Sequence, residues 1–284
     1  MIVDVHTHLF FDDVRNNRAD YFTGEPAFEL LYGSPGSKMA GMEDTIRSMD
    51  ENKVDVSVVF GFPWENPDTA QKNNDYIIKA VSRYPDRFVG LACVSTFHDS
   101  AAAEVARCID AGLSGVGELA FYRSGIDERA IKSLEPIMDI CKSKGLPVLI
   151  HTNEPVGHIY PGKTENTLAR IYSLVRAWPE NKIILAHWGG GIFFYSLLKK
   201  EVKGALENVW FDTAASPYLY NPDIYNIAAR VAGPEKILFG TDFPLLPPSR
   251  YYRELEASGI ADGVKKQILG ENAAALFGLQ ERGV

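Results

Sequence analysis

The chain has 284 residues, of which 46% are hydrophobic and 23% are charged, and its formal net charge is −8 at pH 7. This composition is typical of a globular protein and excludes a largely disordered chain, while the length fits one (β/α)8 barrel, a fold of about 250 residues. The acidic balance offers no broad cationic surface to a phosphate backbone, which argues against an extended nucleic-acid partner.

Cysteine usage and the first residues bear on the cellular compartment. The three cysteines, Cys93, Cys108 and Cys141, form no C-x-x-C pair, so neither a disulfide framework nor a thiolate zinc site is indicated. The first residues carry no basic stretch with a cleavage site, and no apolar run approaches the roughly 18 residues of a membrane span. We therefore expect a cytoplasmic protein with no membrane partner, and the sequence leaves open whether it forms a homo-oligomer.

Short β-rich segments recur along the chain, and longer segments with helical periodicity separate them. This alternation is typical of a parallel sheet covered by helices. Helical spacing is clear at Ile77, Ala80, Val81 and Tyr84, and Gly145 lies where a later helix should end. We predict eight strands, at residues 2–8, 54–60, 88–94, 115–120, 147–152, 182–187, 209–213 and 237–241.

The arrangement of these units predicts the fold. An open dinucleotide-binding sheet would carry G-x-G-x-x-G after its first strand, and no such motif follows residue 8. We therefore predict an α/β protein, a closed (β/α)8 TIM barrel forming a single domain over residues 1–284, with a long loop after strand 1.

That loop, residues 9–41, is too long for a turn and is rich in aromatic residues. Loops at the carboxyl end of such barrels carry the functional sites, so one interpretation is an aromatic lid or pocket wall over the barrel mouth. The alternative is an oligomer contact or a segment packed for stability alone.

The strongest local motif is Asp4-Val5-His6-Thr7-His8 in the first strand. Side chains alternate across a strand, so His6 and His8 point to the same side. Asp4 should face the barrel interior below His6, where it would either hydrogen-bond a ligand imidazole or act as a structural carboxylate.

Four later strands also end in side chains that bind metals. Glu118 occupies the end of strand 4, His151 that of strand 5, His187 that of strand 6 and Asp242 that of strand 8. In a closed parallel barrel these ends form one ring, so the residues should meet in one pocket. Imidazole and carboxylate donors suit one or two divalent ions, with Zn²⁺ first and Mn²⁺, Fe²⁺ or Co²⁺ as alternatives. The competing interpretation is a set of buried histidines and capping carboxylates.

Each member of the ring has an expected role. We expect Asp242 to take a proton from a metal-activated water and deliver it to the leaving group. His187 would either bind a second metal or support the first from outside its coordination shell. Glu118 would bridge two ions, or orient water beside a single ion.

Other residues near the expected mouth are weaker candidates. Tyr122 and Trp188 could wall an apolar pocket, although bulky aromatics also fill barrel interfaces. Arg123 could clamp a substrate carboxylate or be a solvated surface charge. Gly189–Gly191 could bind an anion at a helix start or simply allow a tight turn. Asp212, like Asp4, could either hydrogen-bond a ligand imidazole or act as a structural carboxylate.

The motifs V-D-V-H-T-H, G-E-L, V-L-I-H-T, I-L-A-H-W-G-G and F-G-T-D-F-P occur in this order over nearly the whole chain. This pattern resembles the amidohydrolase superfamily, in particular the amidohydrolase-related branch of hydrolases, lactonases and non-oxidative decarboxylases. The resemblance implies His6, His8, His151 and Asp242 as core metal ligands. Glu118 is similar to the strand-4 glutamate of the TatD-type hydrolases, which contacts a metal pair.

We therefore expect a metal-dependent hydrolase that acts on an amide, lactone or ester-like bond of a small molecule. The first alternative keeps the site but makes the reaction a non-oxidative decarboxylation of a small unsaturated or aromatic acid. The second is a metal-binding barrel without catalytic activity. Release of CO2 without incorporation of water would favour the decarboxylase.

Overall fold

The structure, a computed structural model, describes residues 1–279. Eight short strands alternate with helices along the chain, one at each predicted position. The strands are β1 Val3–His8, β2 Val56–Phe60, β3 Phe88–Gly90, β4 Val116–Leu119, β5 Val148–Ile150, β6 Ile183–Leu185, β7 Val209–Asp212 and β8 Ile237–Leu238. Each lies within its predicted range, and most are shorter than predicted because the chain turns where the polar side chains follow the apolar run.

Helices of varied length fill the connections. The α-helices are α1 Asp12–Asn16, α2 Pro26–Tyr32, α3 Met42–Asn52, α4 Pro67–Arg83, α5 Ala101–Asp110, α6 Glu128–Ser133, α7 Glu135–Lys144, α8 Leu168–Ala177, α9 Lys200–Ala205, α10 Ser216–Leu219, α11 Ile224–Ala232, α12 Pro248–Ala257, α13 Asp262–Lys266 and α14 Asn272–Phe277. Short 3-10 turns occur at Arg18–Tyr21 and Pro234–Lys236, and a π turn at Gln267–Glu271. The segment His187–Leu197 also has 3-10 character, interrupted by left-handed backbone at residues 188–191. Within residues 1–279, no helix combines the length and the apolar character needed to cross a bilayer.

All strand pairs are parallel and follow chain order. β1, β2 and β3 form one sheet, and β4 to β8 form another. Two seams join the sheets: Gly117 N donates to Ala92 O at 2.8 Å beyond β3, and Val5 N donates to Phe239 O at 2.8 Å beyond β8. The ring of eight strands is therefore closed, as predicted for a (β/α)8 barrel.

The hydrophobic core has two main layers. Residues such as Ile183 and Leu185 of β6 pack in a cluster with helix residues, whereas Ile184 belongs to a second cluster formed mostly by strand residues. Because side chains alternate along a strand, the second cluster includes the inward-facing layer of the barrel. Both layers are closely buried, so the polar side chains at the strand ends stand on a rigid base.

The segment 9–41, defined by the long connection after β1, has its own aromatic core. Phe10 and Phe28 are fully buried with Trp64, and Tyr32 and Tyr122 pack partly buried against them. Glu25, only 3% exposed, accepts hydrogen bonds from the backbone N–H groups of residues 65 and 66 at 3.0 and 2.7 Å. The segment is thereby fixed to the loop after β2, at the carboxyl end of the barrel.

Candidate metal centre

Six polar side chains converge at the carboxyl end of the barrel, and all six were predicted from the sequence. These six residues form the donor cluster: His6, His8, Glu118, His151, His187 and Asp242. Three overlapping trios within the cluster have ligand atoms within 4.8 Å of one another. Five of the six residues are buried, and Asp242 is partly exposed, which leaves an approach open on its side.

Local backbone features turn these side chains inward. The pairing register shifts between Asp4 and Thr7 in β1 and between Val116 and Leu119 in β4, the two stretches that contain His6 and Glu118. Such irregularities re-aim side chains next to functional sites. His187 and Asp242 have φ values of 55° and 56°, in the left-handed region that non-glycine residues seldom occupy. Strain of this kind often accompanies a functional arrangement.

Four residues of the donor cluster form a compact cage: His6, His8, Glu118 and Asp242. The Nε2 atom of His8 lies 3.3 Å from Asp242 Oδ1 and 3.7 Å from Glu118 Oε2. The Nε2 atom of His6 lies 3.7 Å from Asp242 Oδ1 and 3.7 Å from Glu118 Oε1. Ligand atoms at ordinary bond lengths around a tetrahedral ion are about 3.4 Å apart. The cage therefore has the size that a divalent cation requires.

Three imidazoles are oriented by acceptors on their far side. Nδ1 pairs with Asp212 Oδ2 at 2.9 Å in His6, with the carbonyl oxygen of Gly61 at 3.2 Å in His8, and with that of Ala214 at 3.0 Å in His187. An Nδ1–H donating to these acceptors leaves the Nε2 lone pair facing the cage, the arrangement that metal-binding histidines use.

One buried nitrogen of the donor cluster lacks a hydrogen-bond partner, as expected of a metal ligand. His6 Nε2 is buried and has no hydrogen-bond partner, although buried polar atoms are normally satisfied. A cation in the cage would satisfy this atom together with the facing carboxylates. The residues present therefore fit a divalent metal.

His151 uses its ring differently. Its Nε2 pairs with the carbonyl oxygen of Gly162 at 3.0 Å, and its Nδ1 faces Glu118 Oε1 at 3.0 Å. A proton on Nε2 donates to the carbonyl, which leaves Nδ1 on the Glu118 side. His187 Nε2 lies 3.7 Å from the same Glu118 oxygen, so Glu118 is the residue that faces all four histidines.

The charged groups of the donor cluster strongly shift one another's pKa values. Burial opposes protonation of His6, but the carboxylates of Glu118 and Asp212 outweigh it and raise the pKa of His6 to about 10. Burial likewise opposes protonation of His187, while Glu118 and Asp242 raise its pKa to about 9. Burial disfavours ionisation of Glu118, yet His6 and His151 hold its pKa well below the usual range. The carboxylates stay ionised and create a strong attraction for positive charge.

The two supporting aspartates differ from each other. Asp212 holds the His6 imidazole and also accepts the backbone N–H groups of His187 and Ala214. Asp4 contacts no ligand ring: it accepts from His6 N and from the N–H and hydroxyl of Thr241, and burial raises its pKa to about 6. The interpretation of Asp4 as a partner of a ligand imidazole is therefore wrong, because its carboxylate closes the β1–β8 seam instead.

The candidate substrate residues lie in different surroundings. The Tyr122 ring is centred 5.3 Å from that of His151 and stacks on Phe62. Trp188 is fully buried, packs on Tyr225 and donates to Ser216 Oγ, so the structure places it in the core between strands and helices. Arg123 is exposed on the loop after β4.

The three glycines after His187 support a tight turn. Their φ values are 62°, 61° and 94°, and a Cβ atom on Gly190 would lie 2.4 Å from the carbonyl oxygen of Asn153. A side chain there would collide with backbone, so the turn itself requires glycine.

Sequence reasoning missed several parts of the site. The carbonyl oxygens of Gly61 and Ala214 orient two imidazoles, and backbone acceptors leave no signal in a sequence. Tyr32 of α2 packs on Phe62 in the aromatic series that reaches His151 through Tyr122, and the charges of Asp242 and Glu118 act on its hydroxyl. The only available hint was the aromatic content of the segment 9–41.

Proteins similar over nearly the full length are decarboxylases. A 2-amino-3-carboxymuconate-6-semialdehyde decarboxylase of Dictyostelium discoideum is 26% identical, with 98% of this chain and 91% of that protein covered. A 6-methylsalicylic acid decarboxylase of Penicillium expansum is 25% identical, with coverage of 97% and 95%. These relatives contradict hydrolysis as the main expectation. That expectation was wrong because a metal-binding donor set supports more than one reaction, and the motifs do not distinguish them.

A solved structure supports the fold. The crystal structure of 5-carboxyvanillate decarboxylase from Novosphingobium aromaticivorans, complexed with manganese and 4-hydroxy-3-methoxy-5-nitrobenzoic acid, superposes with a TM-score of 0.76. It is 16% identical, and 98% of this chain and 96% of that chain are covered. The likeness shows the fold, and the ion in that structure is manganese and not zinc.

The family model described as amidohydrolase matches residues 3–279, which includes every strand and the whole donor cluster. The order of the motifs, the closed barrel and the imidazole–carboxylate cage agree with this match. The chain therefore belongs to the amidohydrolase family.

Proposed function

We propose that this enzyme is a metal-dependent, non-oxidative decarboxylase of a small aromatic or unsaturated acid. The observation that carries the proposal is the cage of imidazoles and carboxylates set against a wall of aromatic rings. Tyr122 stacks on Phe62 with an interplanar angle of 8° and adjoins His151. Planar substrates pack well on such rings, and the full-length relatives act as decarboxylases.

The cation would be held by His6, His8, Glu118 and Asp242, the four residues of the cage. His151 stays a predicted ligand through Nδ1, the nitrogen that faces Glu118. A bound divalent ion would polarise an oxygen of the substrate. These donors suit manganese as well as zinc, and we propose manganese as the first ion to test because the structurally similar decarboxylase contains it.

The reaction needs a proton donor. In a non-oxidative decarboxylation the C–C bond to the carboxylate breaks, its electron pair stays on carbon, CO2 leaves and a proton takes its place. We propose that His187 delivers this proton from Nε2, because its Nδ1 is anchored on Ala214 and it lies outside the four-residue cage. Asp242, which we expected to move protons, serves in this scheme as a cage ligand.

Product analysis tests the proposed reaction. We expect the manganese-loaded protein to release CO2 from at least one acid in a panel of substituted hydroxybenzoates and unsaturated carboxylic acids, without an added oxidant. In D2O the product should carry one deuterium at the carbon that lost the carboxylate. A panel in which amides, lactones or esters are cleaved and no acid loses CO2 would contradict the proposal.

Two variants separate the proposed roles of the cluster. His187→Asn should retain most of the bound metal but lower the turnover number by at least about 100-fold, the usual contribution of a positioned acid or base. Asp242→Asn should lose metal affinity as well as turnover. Metal content per chain and the rate of CO2 release are measured together, and equal metal loss in both variants would make His187 a ligand instead of the proton donor.

A further inference from the structure

The segment 9–41 lies across the carboxyl end of the barrel. Beyond the bonds of Glu25 to the loop after β2, the side chain of Lys38 donates to the carbonyl oxygen of Leu245 after β8 at 3.3 Å. Leu31 of α2 lies close to Gly162 in the loop after β5. Because these loops surround the donor cluster, α2 is held over the entrance to the site.

Tyr32, the last residue of α2, continues the aromatic wall toward the cluster. Its ring is centred 6.0 Å from Phe62, which stacks on Tyr122, which in turn adjoins the His151 ring. Phe10 and Phe28 support it from behind at 5.0 Å each. A continuous series of rings therefore leads from Tyr32 to a member of the donor cluster.

The backbone of Tyr32 is also fixed. Arg18 Nη1 donates to the carbonyl oxygens of Tyr32, Ser34 and Ser37, each at 3.1 Å. A guanidinium at the carboxyl end of a helix satisfies carbonyls that lack helical partners and complements the helix dipole. The position of the phenol is thus set in advance by contacts that do not involve the site.

The hydroxyl of Tyr32 makes no hydrogen bond among residues 1–279, whereas that of Tyr21, in the same segment, donates to Asp13. Burial raises the pKa of the Tyr32 phenol, and the charges of Asp242 and Glu118 raise it further. The phenol is therefore neutral at pH 7, and its hydrogen is available to a ligand within electrostatic reach of the cage carboxylates.

Among residues 1–279, no Lys or Arg side chain pairs with Glu118 or Asp242, whose ion pairs all involve histidines. After burial, the largest influences on Glu118 and Asp242 all come from histidines. Lys163, the basic residue of the loop after β5, is already bound by Glu154 and two backbone carbonyls. A substrate carboxylate drawn to this end of the barrel would need another donor.

We propose that Tyr32 is a specificity-determining residue whose hydroxyl donates a hydrogen bond to the substrate carboxylate. This inference rests on the proposed decarboxylation. A neutral donor suits that reaction, because a guanidinium would stabilise the carboxylate charge that disappears as CO2 leaves, and such ground-state binding raises the barrier. A phenol orients the same group with less stabilisation of the ground state.

The test uses 2-hydroxybenzoate as an aromatic carboxylate probe on the manganese-loaded protein, with dissociation constants from calorimetry. A hydrogen bond to a charged group contributes about 1.5–3 kcal/mol, so Tyr32→Phe should weaken binding by about tenfold or more. The matched control is Tyr21→Phe, which removes a hydroxyl that is bonded to Asp13 and should change binding less than about twofold. Phenylalanine at 32 keeps every ring contact, so the fold should persist.

The outcomes distinguish the two proposals. Failure of the wild type to bind 2-hydroxybenzoate and substituted hydroxybenzoates would count against the proposed function and the Tyr32 assignment together. Wild-type binding that Tyr32→Phe leaves unchanged, or that Tyr21→Phe weakens as much, would overturn only the role of Tyr32. Loss of manganese in Tyr32→Phe would also overturn it, since the hydroxyl would then act on the metal centre and not on the carboxylate.

Discussion

His6 illustrates how much one side chain in this site depends on its neighbours. Its imidazole is fully buried, anchored at Nδ1 by Asp212 and left without a hydrogen-bond partner at Nε2. A buried atom without a partner is costly unless something binds it. The anchor therefore determines which nitrogen is offered to a cation.

Replacing the anchor should weaken metal binding without removing a ligand. Asp212→Asn keeps the shape of the side chain but removes the charge that fixes the His6 tautomer. We expect metal affinity to fall by about 10- to 100-fold, as for other supporting carboxylates. Asp4→Asn is the control, because Asp4 contacts no imidazole. Manganese titration measures the metal affinity of both variants, and circular dichroism monitors their folding. An equal loss of affinity in the two variants would contradict the role of Asp212.

The raised pKa values of His6 and His187 predict how pH affects metal binding. With a pKa of about 10, the His6 imidazole carries a proton at pH 7 that a metal must displace from its Nε2 atom. His187, with a pKa of about 9, keeps its proton for the proposed transfer. Apparent metal affinity should therefore rise with pH between 6 and 9. Calorimetry in two buffers of different ionisation enthalpy measures the protons released, and binding without net proton release would show that His6 is not protonated beforehand.

At the scale of elements, strand positions were predictable and the details of their ends were not. Hydrophobic runs mark each strand, and a polar ligand after the run marks the barrel mouth, so His6, Glu118 and Asp242 could be placed together from sequence. The register shifts in β1 and β4 and the left-handed backbone at Asp242 depend on packing among distant elements. Their effect on side-chain direction could not be inferred from spacing alone.

The segment 9–41 shows the same limit, since its aromatic content was visible but its attachment was not. Glu25 is buried because its carboxylate binds two backbone N–H groups at the start of α4. Glu25→Ala leaves those donors unpaired, so we expect the free energy of unfolding to fall by about 2 kcal/mol. Amide exchange should increase in residues 9–41 while the strands keep their protection. Glu29→Ala, an exposed change in α2, the helix that follows Glu25, is the control.

For the whole molecule, the cage joins the two ends of the described barrel. His6 and His8 lie on β1, Asp242 follows β8 and Glu118 comes from the opposite sheet. An ion bound by these residues would connect both sheets across the β1–β8 seam, where backbone hydrogen bonds and the bonds of Asp4 to Thr241 otherwise close the ring. We propose that residues 1–284 unfold as a single domain, so this connection should stabilise the entire chain.

Metal addition should therefore raise the melting temperature in one cooperative transition. A ligand at 100 times its dissociation constant stabilises a protein by about 2.7 kcal/mol, which corresponds to an increase of about 4 to 5 °C for a chain of this size. Chelation with EDTA should reverse the shift, and Asp242→Asn should abolish it because the seam loses its ligand beyond β8. Calorimetric scans with and without manganese measure the effect. Two separate transitions, only one of them shifted by metal, would show that the barrel does not unfold as one unit and that the ion stabilises only part of it.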